Sequence, residues 1–170
     1  MKYFHLLIIL FISSTIAFSQ EKAEIYNTSI DGMKQLDEAI VKAKSEKKHL
    51  LVQVGGNWCP WCIRFNKFLA DVPQIDSVMK SSFILVHLNY SRENRNYPVL
   101  ERLGYPQRFG FPVLVVINGK GERLHTQDSG ILEKDKGYDT LKVFTFLKNW
   151  TPGALDPENY KLIDETKGKK

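Results

Sequence analysis

Cysteine and histidine are scarce in this sequence, which limits the metal chemistry available to it. Two of the 170 residues are cysteines and four are histidines. A structural zinc site needs four ligands, and His49, His87 and His125 have no motif spacing to the cysteines. We therefore predict no metal site within the chain. A metal chaperone, with ligands shared between molecules, is the weakest alternative.

The sequence also lacks an apolar run long enough to span a membrane. The N-terminal run over residues 6–12 is followed at once by serine and threonine, whereas a spanning helix needs roughly 20 apolar residues. Lys2 before the run, and Ala17 and Ser19 after it, form the pattern of a secretory signal cleaved before Gln20. No cysteine follows the run to carry a lipid anchor. We predict an exported protein without stable membrane insertion, periplasmic in a Gram-negative host and otherwise extracellular.

A nucleic-acid recognition motif is absent as well. The net charge is +5, but the basic residues are scattered, apart from lysines over residues 42–48 and in the C-terminal "KGKK". Neither group forms the continuous basic stripe of a nucleic-acid interface. We predict no nucleic-acid partner.

The length remaining after cleavage suits one domain with one core. We predict a signal peptide over residues 1–19, a folded domain over residues 20–152 and a polar tail over residues 153–170. No internal repeat or second domain is indicated, and we expect a monomer.

Short buried strands alternate with helical segments along the chain. Runs rich in Val, Leu and Ile, bounded by turn residues, predict strands over residues 49–56, 83–90 and 111–118. The turn signal "NGKGE" predicts a hairpin whose second strand covers residues 123–128. Helical spacing or helix-start signals mark the segments from Ser29 or Asp31, over 63–72, from Pro73, near 99–103 and over 138–150. This alternation indicates an α/β fold, with a central mixed sheet covered by helices on both faces and an antiparallel hairpin at one edge.

What the sequence does contain is a cysteine pair at a strand-to-helix junction, in "NWCPWC". As a structural cross-link the pair would stabilise the fold little, because a disulfide that closes so short a loop removes little entropy from the unfolded chain. Pro60 suits the first helical position, which puts Cys59 at a helix N-terminus, where a thiolate is stabilised. Cys62, one turn later, can resolve a mixed disulfide from inside. We predict an exposed nucleophile and a shielded resolver, with an inert disulfide as the alternative.

Two segments carry a resemblance to a known family. "VGGNWCPWC" after an apolar strand, and "FGFPVLVVINGKGE" further on, resemble the two signatures of the thioredoxin family. The resemblance covers most of residues 25–150. It implies a thioredoxin-like fold and a thiol–disulfide oxidoreductase that needs no dissociable cofactor. Its partners would be protein thiols or disulfides and a redox partner protein.

The resemblance also implies which residues act. Cys59 and Cys62 would be catalytic, and Pro112 would be cis and lie beside them, so that the backbone of Phe111 pairs with substrate. A proline that simply begins a strand is the other interpretation. The remaining candidates for substrate binding are Trp58, which could instead pack beneath the loop, Pro60, and Trp61, expected to be exposed.

Two departures from the family pattern stand out. Many thioredoxins have a buried carboxylate six residues before the first cysteine, where this chain has Gln53. Glutamine is not a base, so proton transfer needs water or another group. The segment over residues 89–108 is longer and interleaves Tyr with Arg; it either borders the substrate groove or simply packs against itself.

The direction of electron flow is the most open part of the function. We expect a reductant, with an oxidase or isomerase as close alternatives. A thioredoxin-like module that docks protein segments with little redox turnover is the alternative from another functional class.

Overall fold

The structure, a computed structural model, describes residues 24–161. The predicted signal peptide and the end of the predicted tail lie outside the described residues. No helix among residues 24–161 combines the length and apolar character needed to cross a lipid bilayer.

A four-stranded mixed sheet forms the centre of the molecule. Strand β1 lies beside β2 in parallel and beside β3 in antiparallel orientation, and β4 forms an antiparallel pair with β3 at the edge. The strand order is therefore β2-β1-β3-β4, with β1 and β3 inside. The strands are His49–Gly55 (β1), Phe83–Asn89 (β2), Val113–Ile117 (β3) and Arg123–Asp128 (β4). The mixed sheet with an antiparallel hairpin at one edge confirms the predicted architecture.

Helices surround the sheet, and aspartate side chains cap two of them at the N-terminus. Asp31 accepts hydrogen bonds from the Met33 and Lys34 amides, so it caps the first helix in preference to Ser29. Asp139 caps the last helix in the same way. Such caps satisfy amides that have no partner within the helix. The helices are Gly32–Glu46 (α1), Pro60–Asp71 (α2), Pro73–Ser82 (α3), Tyr97–Arg102 (α4) and Thr140–Asn149 (α5).

Each face of the sheet has its own hydrophobic core. Leu50, Val52 and Val54 of β1 point into a core shared with residues of α1 and α4. Leu51, on the opposite face, packs in a core shared with α2, α3 and α5. Alternate residues of a strand face opposite sides, so Gln53 lies on the same face as Leu51, under α2.

One small hairpin was not predicted. The loop expected between β4 and α5 contains two two-residue strands, Glu133–Lys134 (β5) and Gly137–Tyr138 (β6), which pair antiparallel. They are too short for a period-2 pattern to be seen in the sequence. A 3₁₀ turn, Gly153–Leu155, lies at the start of the predicted tail. The boundaries of the signal peptide, the folded domain and the tail stay predictions.

Candidate active site

The two cysteines lie where β1 passes into α2. Cys59 is the N-cap of α2, with extended backbone, and Pro60 takes the first helical position. The Cys62 backbone amide donates a hydrogen bond to Cys59 Sγ, 3.1 Å away. The two side chains form a disulfide with their Cα atoms 5.3 Å apart. The first sulfur therefore lies at the positive end of a helix, as the spacing predicts.

Solvent access to the pair is smaller than predicted. Cys62 is fully buried, but Cys59 is only 3% exposed, so the prediction of an exposed nucleophile is wrong for this disulfide-bonded form. The reason is packing: both cysteines belong to a buried cluster with Tyr26, against which Ile25, Trp61 and Phe111 also pack. Part of this cover comes from the N-terminal segment, which is distant in sequence.

Gln53 joins Cys62 to Tyr26 by two buried hydrogen bonds. Its side-chain amide nitrogen donates to Tyr26 Oη over 2.7 Å and to the Cys62 carbonyl oxygen over 2.9 Å. A carbonyl oxygen can only accept, so it fixes which end of the Gln53 amide faces this way. The position that holds a carboxylate in many thioredoxins thus holds a neutral donor here.

The groups around Gln53 are also neutral. Burial raises the pKa of Tyr26 well above its usual range. His87 pairs in register with Gln53 on the neighbouring strand and packs edge-on against Tyr26, with ring centroids 5.3 Å apart. Burial lowers the pKa of His87 to about 4. We call Tyr26, Gln53 and His87 the inner polar cluster; it carries no charge near neutral pH.

Asn57 fixes the segment that carries Tyr26. Its side-chain oxygen accepts hydrogen bonds from the Ile25 and Tyr26 amides, each 3.0 Å long. Its side-chain nitrogen donates to the Tyr26 carbonyl oxygen over 2.8 Å. Asn57 therefore clamps a segment about 30 positions away onto the loop that leads to the cysteines. Neither Asn57 nor Tyr26 is predicted from the sequence, because no local pattern reports so distant a contact.

The structure places the candidate substrate-binding residues on the outer side of the pair. The Phe111–Pro112 peptide bond is cis, as the resemblance implies. Trp58 is 48% exposed, and its ring packs edge-on against Phe111 at 5.2 Å. Its indole nitrogen donates to the Tyr90 carbonyl oxygen over 2.7 Å. Trp58 therefore does not pack beneath the loop but forms part of an aromatic surface.

Trp61 is less exposed than predicted, whereas Pro60 is exposed. Trp61 is half-buried, edge-on to Tyr138 with ring centroids 5.5 Å apart. The Arg64 guanidinium lies 4.6 Å from the centre of the Trp61 ring. The β5–β6 hairpin, unseen in the sequence, supplies Tyr138 and explains the difference.

The segment over residues 89–108 packs against itself, and its role beside a substrate groove stays a prediction. For example, Asn96 donates to the Asn89 carbonyl oxygen over 2.9 Å. The segment also borders an open cleft of about 710 Å³ beside Trp58, where Tyr90 and Arg95 lie on the wall. Arg95 donates to the Tyr90 hydroxyl over 2.8 Å. Tyr90 in turn stacks on Phe111, with ring centroids 5.0 Å apart.

Metal ligands do not gather near the pair. Among the described residues, no three His, Cys, Asp or Glu side chains lie close enough together to hold a metal ion. The chemistry that the local geometry supports is sulfur exchange between the two cysteines and an outside thiol or disulfide.

Comparison with known proteins decides the family. A family model described as thioredoxin-like matches residues 31–119, more than half of the chain. The chain belongs to the thioredoxin-like family. The crystal structure of a disulphide isomerase from Xylella fastidiosa Temecula1 has the same fold, with a TM-score of 0.65 at 24% identity. The alignment covers 75% of this chain and 96% of that one.

Two similar proteins are each named thiol:disulfide interchange protein DsbD. The one from Vibrio cholerae serotype O1 is 26% identical over 105 residues, and the one from Klebsiella pneumoniae subsp. pneumoniae is 21% identical over 103 residues. Each match covers 61% of this chain but only 17% and 16% of those much longer proteins. This member of the thioredoxin-like family has, in its Cys59–Cys62 pair, two thiols that can take part in disulfide exchange.

Proposed function

We propose that this thioredoxin-like protein is exported and reduces disulfide bonds in other proteins, using Cys59 as the attacking thiol and Cys62 as the resolving thiol. One observation carries the assignment of roles. Cys59 Sγ lies at the α2 N-terminus and accepts the Cys62 amide hydrogen, while Cys62 lies fully buried behind it.

The proposed reaction has two exchange steps. In the first, the Cys59 thiolate attacks a substrate disulfide; a bond forms between Cys59 and one substrate sulfur, and the other substrate sulfur leaves as a thiolate. In the second, Cys62 loses its proton and attacks Cys59 Sγ, which releases the remaining substrate sulfur. The substrate gains two electrons and two protons, and the enzyme is left with the disulfide seen in the structure.

The outer aromatic surface is the proposed substrate contact. Trp58 and Phe111 present ring surface beside the pair, and Pro60 and Pro112 flank it in the sequence pattern shared with the family. An extended substrate segment would pair with the backbone at Phe111. Trp61, half-buried, would contribute only its outer edge.

The direction of electron flow depends on how strongly the protein stabilises the Cys59 thiolate. Exchange proteins become strong oxidants when their reduced form is strongly stabilised. Here the Cys59 sulfur receives its hydrogen bond from the Cys62 amide, and no basic side chain within residues 24–161 donates one. Aromatic and apolar side chains pack around the pair. The reduced form gains little stabilisation beyond that from the helix N-terminus, and this favours a reductant.

Export and partners complete the proposal. The N-terminal signal pattern directs the chain out of the cytoplasm, to the periplasm in a Gram-negative host. A separate protein dithiol would return electrons to the Cys59–Cys62 disulfide. If export is correct, the mature protein recovered from its host begins at Gln20; a mature chain that retains Met1 contradicts it.

A second candidate function is supported by the burial of Cys59. At 3% exposure, the sulfur is poorly accessible in the disulfide form. This would suit a module that docks protein segments on its aromatic surface with little redox turnover.

Trapping of mixed disulfides separates the two functions. A Cys62→Ser variant cannot complete the second step, so we expect it to accumulate disulfide-linked complexes with a model protein disulfide. The matched Cys59→Ser variant should accumulate none, because it lacks the attacking sulfur. If Cys62→Ser traps nothing and the wild-type protein exchanges with no model disulfide, the docking function is the correct one.

A further inference from the structure

The resolving step poses a problem that the proposed function leaves open. Cys62 must lose its proton before it attacks, yet it is fully buried. The nearest polar side chain of β1, Gln53, contacts the Cys62 carbonyl oxygen through its amide nitrogen and cannot act as a base. A thiolate at Cys62 therefore needs a hydrogen-bond donor to replace lost hydration.

The Tyr26 hydroxyl and the Cys62 sulfur both lie near Gly55, and within residues 24–161 no hydrogen bond joins them in the disulfide form. Tyr26, Cys59 and Cys62 form one buried cluster. A Cβ atom placed on Gly55 would lie 2.8 Å from Tyr26 Oη and closer still to Cys62 Sγ. The hydroxyl oxygen and the sulfur thus flank the same point, the bare backbone of Gly55.

The hydrogen-bond pattern leaves the Tyr26 hydroxyl hydrogen available. Gln53 must present its nitrogen to the Cys62 carbonyl oxygen, so the same nitrogen donates to Tyr26 Oη. With Tyr26 Oη accepting from Gln53, its own hydrogen must go elsewhere. Within residues 24–161 no protein oxygen or nitrogen accepts it: His87 Nε2, the nearby ring nitrogen, is itself without a hydrogen-bond partner.

We propose that the Tyr26 hydroxyl, oriented by Gln53, donates a hydrogen bond to the Cys62 sulfur and stabilises the thiolate that resolves the mixed disulfide. This role rests on the proposed function, because it needs Cys62 to act as the resolver. In the step, the Cys62 proton passes to solvent, a bond forms between Cys62 and Cys59, and the bond from Cys59 to substrate breaks. The departing substrate thiolate takes up a proton from solvent, so charge and electrons balance.

Tyr26 acts here as a donor and not as a base. Burial raises the pKa of Tyr26 above its usual range, so the phenol keeps its proton at every pH at which the protein works. A neutral phenol that touches a developing thiolate makes a charge-assisted hydrogen bond, which is stronger than a neutral one.

A Tyr26→Phe variant tests the proposal with oxidised glutathione as the probe. Attack by Cys59 releases one glutathione and leaves the other bound, and resolution by Cys62 releases the second. We expect Tyr26→Phe to leave the attack rate within about twofold and to slow resolution roughly tenfold. Acid quenching followed by mass spectrometry should show that the glutathione adduct persists longer in Tyr26→Phe than in the wild type, in proportion to the slower resolution.

A titration provides a readout that a purely structural role would not move. In a Cys59→Ala background, where Cys62 is the single thiol, its thiolate absorbance can be followed against pH. Adding Tyr26→Phe should move the midpoint upward by about one pH unit. A fluorinated tyrosine at position 26, similar in size but more acidic, should move it downward, which keeps the test valid if Tyr26→Phe folds poorly.

Tyr138→Phe is the matched control. It removes the hydroxyl of another buried tyrosine packed against α2, one that donates to the Trp61 carbonyl oxygen over 3.2 Å. It should change neither the titration of Cys62 nor the ratio of the two rates. If Tyr26→Phe resolves as fast as the wild type and the Cys62 titration does not move, the Tyr26 role is wrong. If the wild type forms no glutathione adduct at all, the proposed function itself has failed.

Discussion

His87 is a residue whose neutrality the surrounding structure enforces. It lies beside Gln53 in the sheet and edge-on to Tyr26, and its Nε2 is buried without a hydrogen-bond partner in the part of the chain that the structure describes. A proton on this ring would place an uncompensated charge in the inner polar cluster, which is why its pKa falls to about 4. The residue thus links the interior of the site to the acid stability of the whole protein.

The first prediction concerns acid unfolding. The unfolded chain protonates His87 near pH 6.5, whereas the folded chain does so only at about 4. Between these values the unfolded state binds the extra proton, so the free energy of unfolding should fall as pH falls from 6.5 towards 4. The shift corresponds to roughly 3 kcal/mol. Denaturant unfolding at several pH values should show this loss in the wild type and a much flatter profile in His87→Gln.

Parallel pH profiles for the two proteins would contradict this account of His87. They would mean that the ring is hydrated in the folded state or is protonated at little cost.

The site residues that could be identified from the sequence are those marked by a pattern of neighbouring residues. Cys59 and Cys62 are marked by their spacing, and Pro112 by the strand that follows it. Gln53 could be placed by counting back along a buried strand. Tyr26 could not, because its role depends on a clamp by Asn57 across about 30 positions, and no pattern within one element reports that contact.

At the scale of elements, the site depends on how closely α2 can approach the end of β1. Gly55 is the last residue of β1, and it is buried. Cys62 Sγ and Tyr26 Oη occupy the space where a side chain on Gly55 would project. The strand therefore ends in a residue without a side chain so that the resolving sulfur can lie against the backbone.

A Gly55→Ala substitution tests this approach. The added methyl group would force the sulfur, the tyrosine or the strand to move, so we expect a loss of about 1–3 kcal/mol in the free energy of unfolding. Resolution of a mixed disulfide should slow as well, since Cys62 and Tyr26 are displaced together. Chemical unfolding and the glutathione assay measure the two effects.

Gly137→Ala is the matched control for that substitution. A Cβ atom on Gly137 would have no other atom within 4 Å, so its stability should stay unchanged or rise slightly. Equal stability of Gly55→Ala and Gly137→Ala would contradict close packing at the end of β1.

The elements themselves could largely be read from the sequence. Strands β1, β2 and β3 are short apolar runs, β4 follows a turn signal, and α1 has apolar residues at helical spacing beginning after Asp31. The helix expected from Tyr138 begins at Thr140, because Tyr138 is taken into β6. Trp61 is half-buried because of that same hairpin. Strands of two residues are too short to be predicted from a sequence pattern.

At the scale of the whole molecule, three distant parts of the chain meet at the pair. The N-terminal segment brings Tyr26, the β1–α2 junction brings both cysteines, and the turn before β3 brings Phe111. The sheet order puts β1 and β3 side by side, which is why the junction and the turn meet at one edge. Together these parts place aromatic side chains on the outer side of the cysteine pair and the uncharged inner polar cluster on its inner side.

The reductant role that we propose rests on the same arrangement. The residues between the cysteines, Pro60 and Trp61, are uncharged, and the inner polar cluster adds no positive charge near neutral pH. Cys59 therefore depends on the α2 N-terminus for stabilisation of its thiolate. A modestly stabilised thiolate leaves the disulfide as the favoured form, and a protein with a favoured disulfide donates electrons readily.

The reduction potential of the Cys59–Cys62 pair, measured by equilibration with glutathione redox buffers, decides whether the protein is a reductant. We predict a value near the reducing end of the range of related exchange proteins, about −270 mV, and below the roughly −180 mV typical of isomerases. A value near −120 mV, the potential of a strong oxidant, would rule out the proposed reductant and make the protein an oxidase.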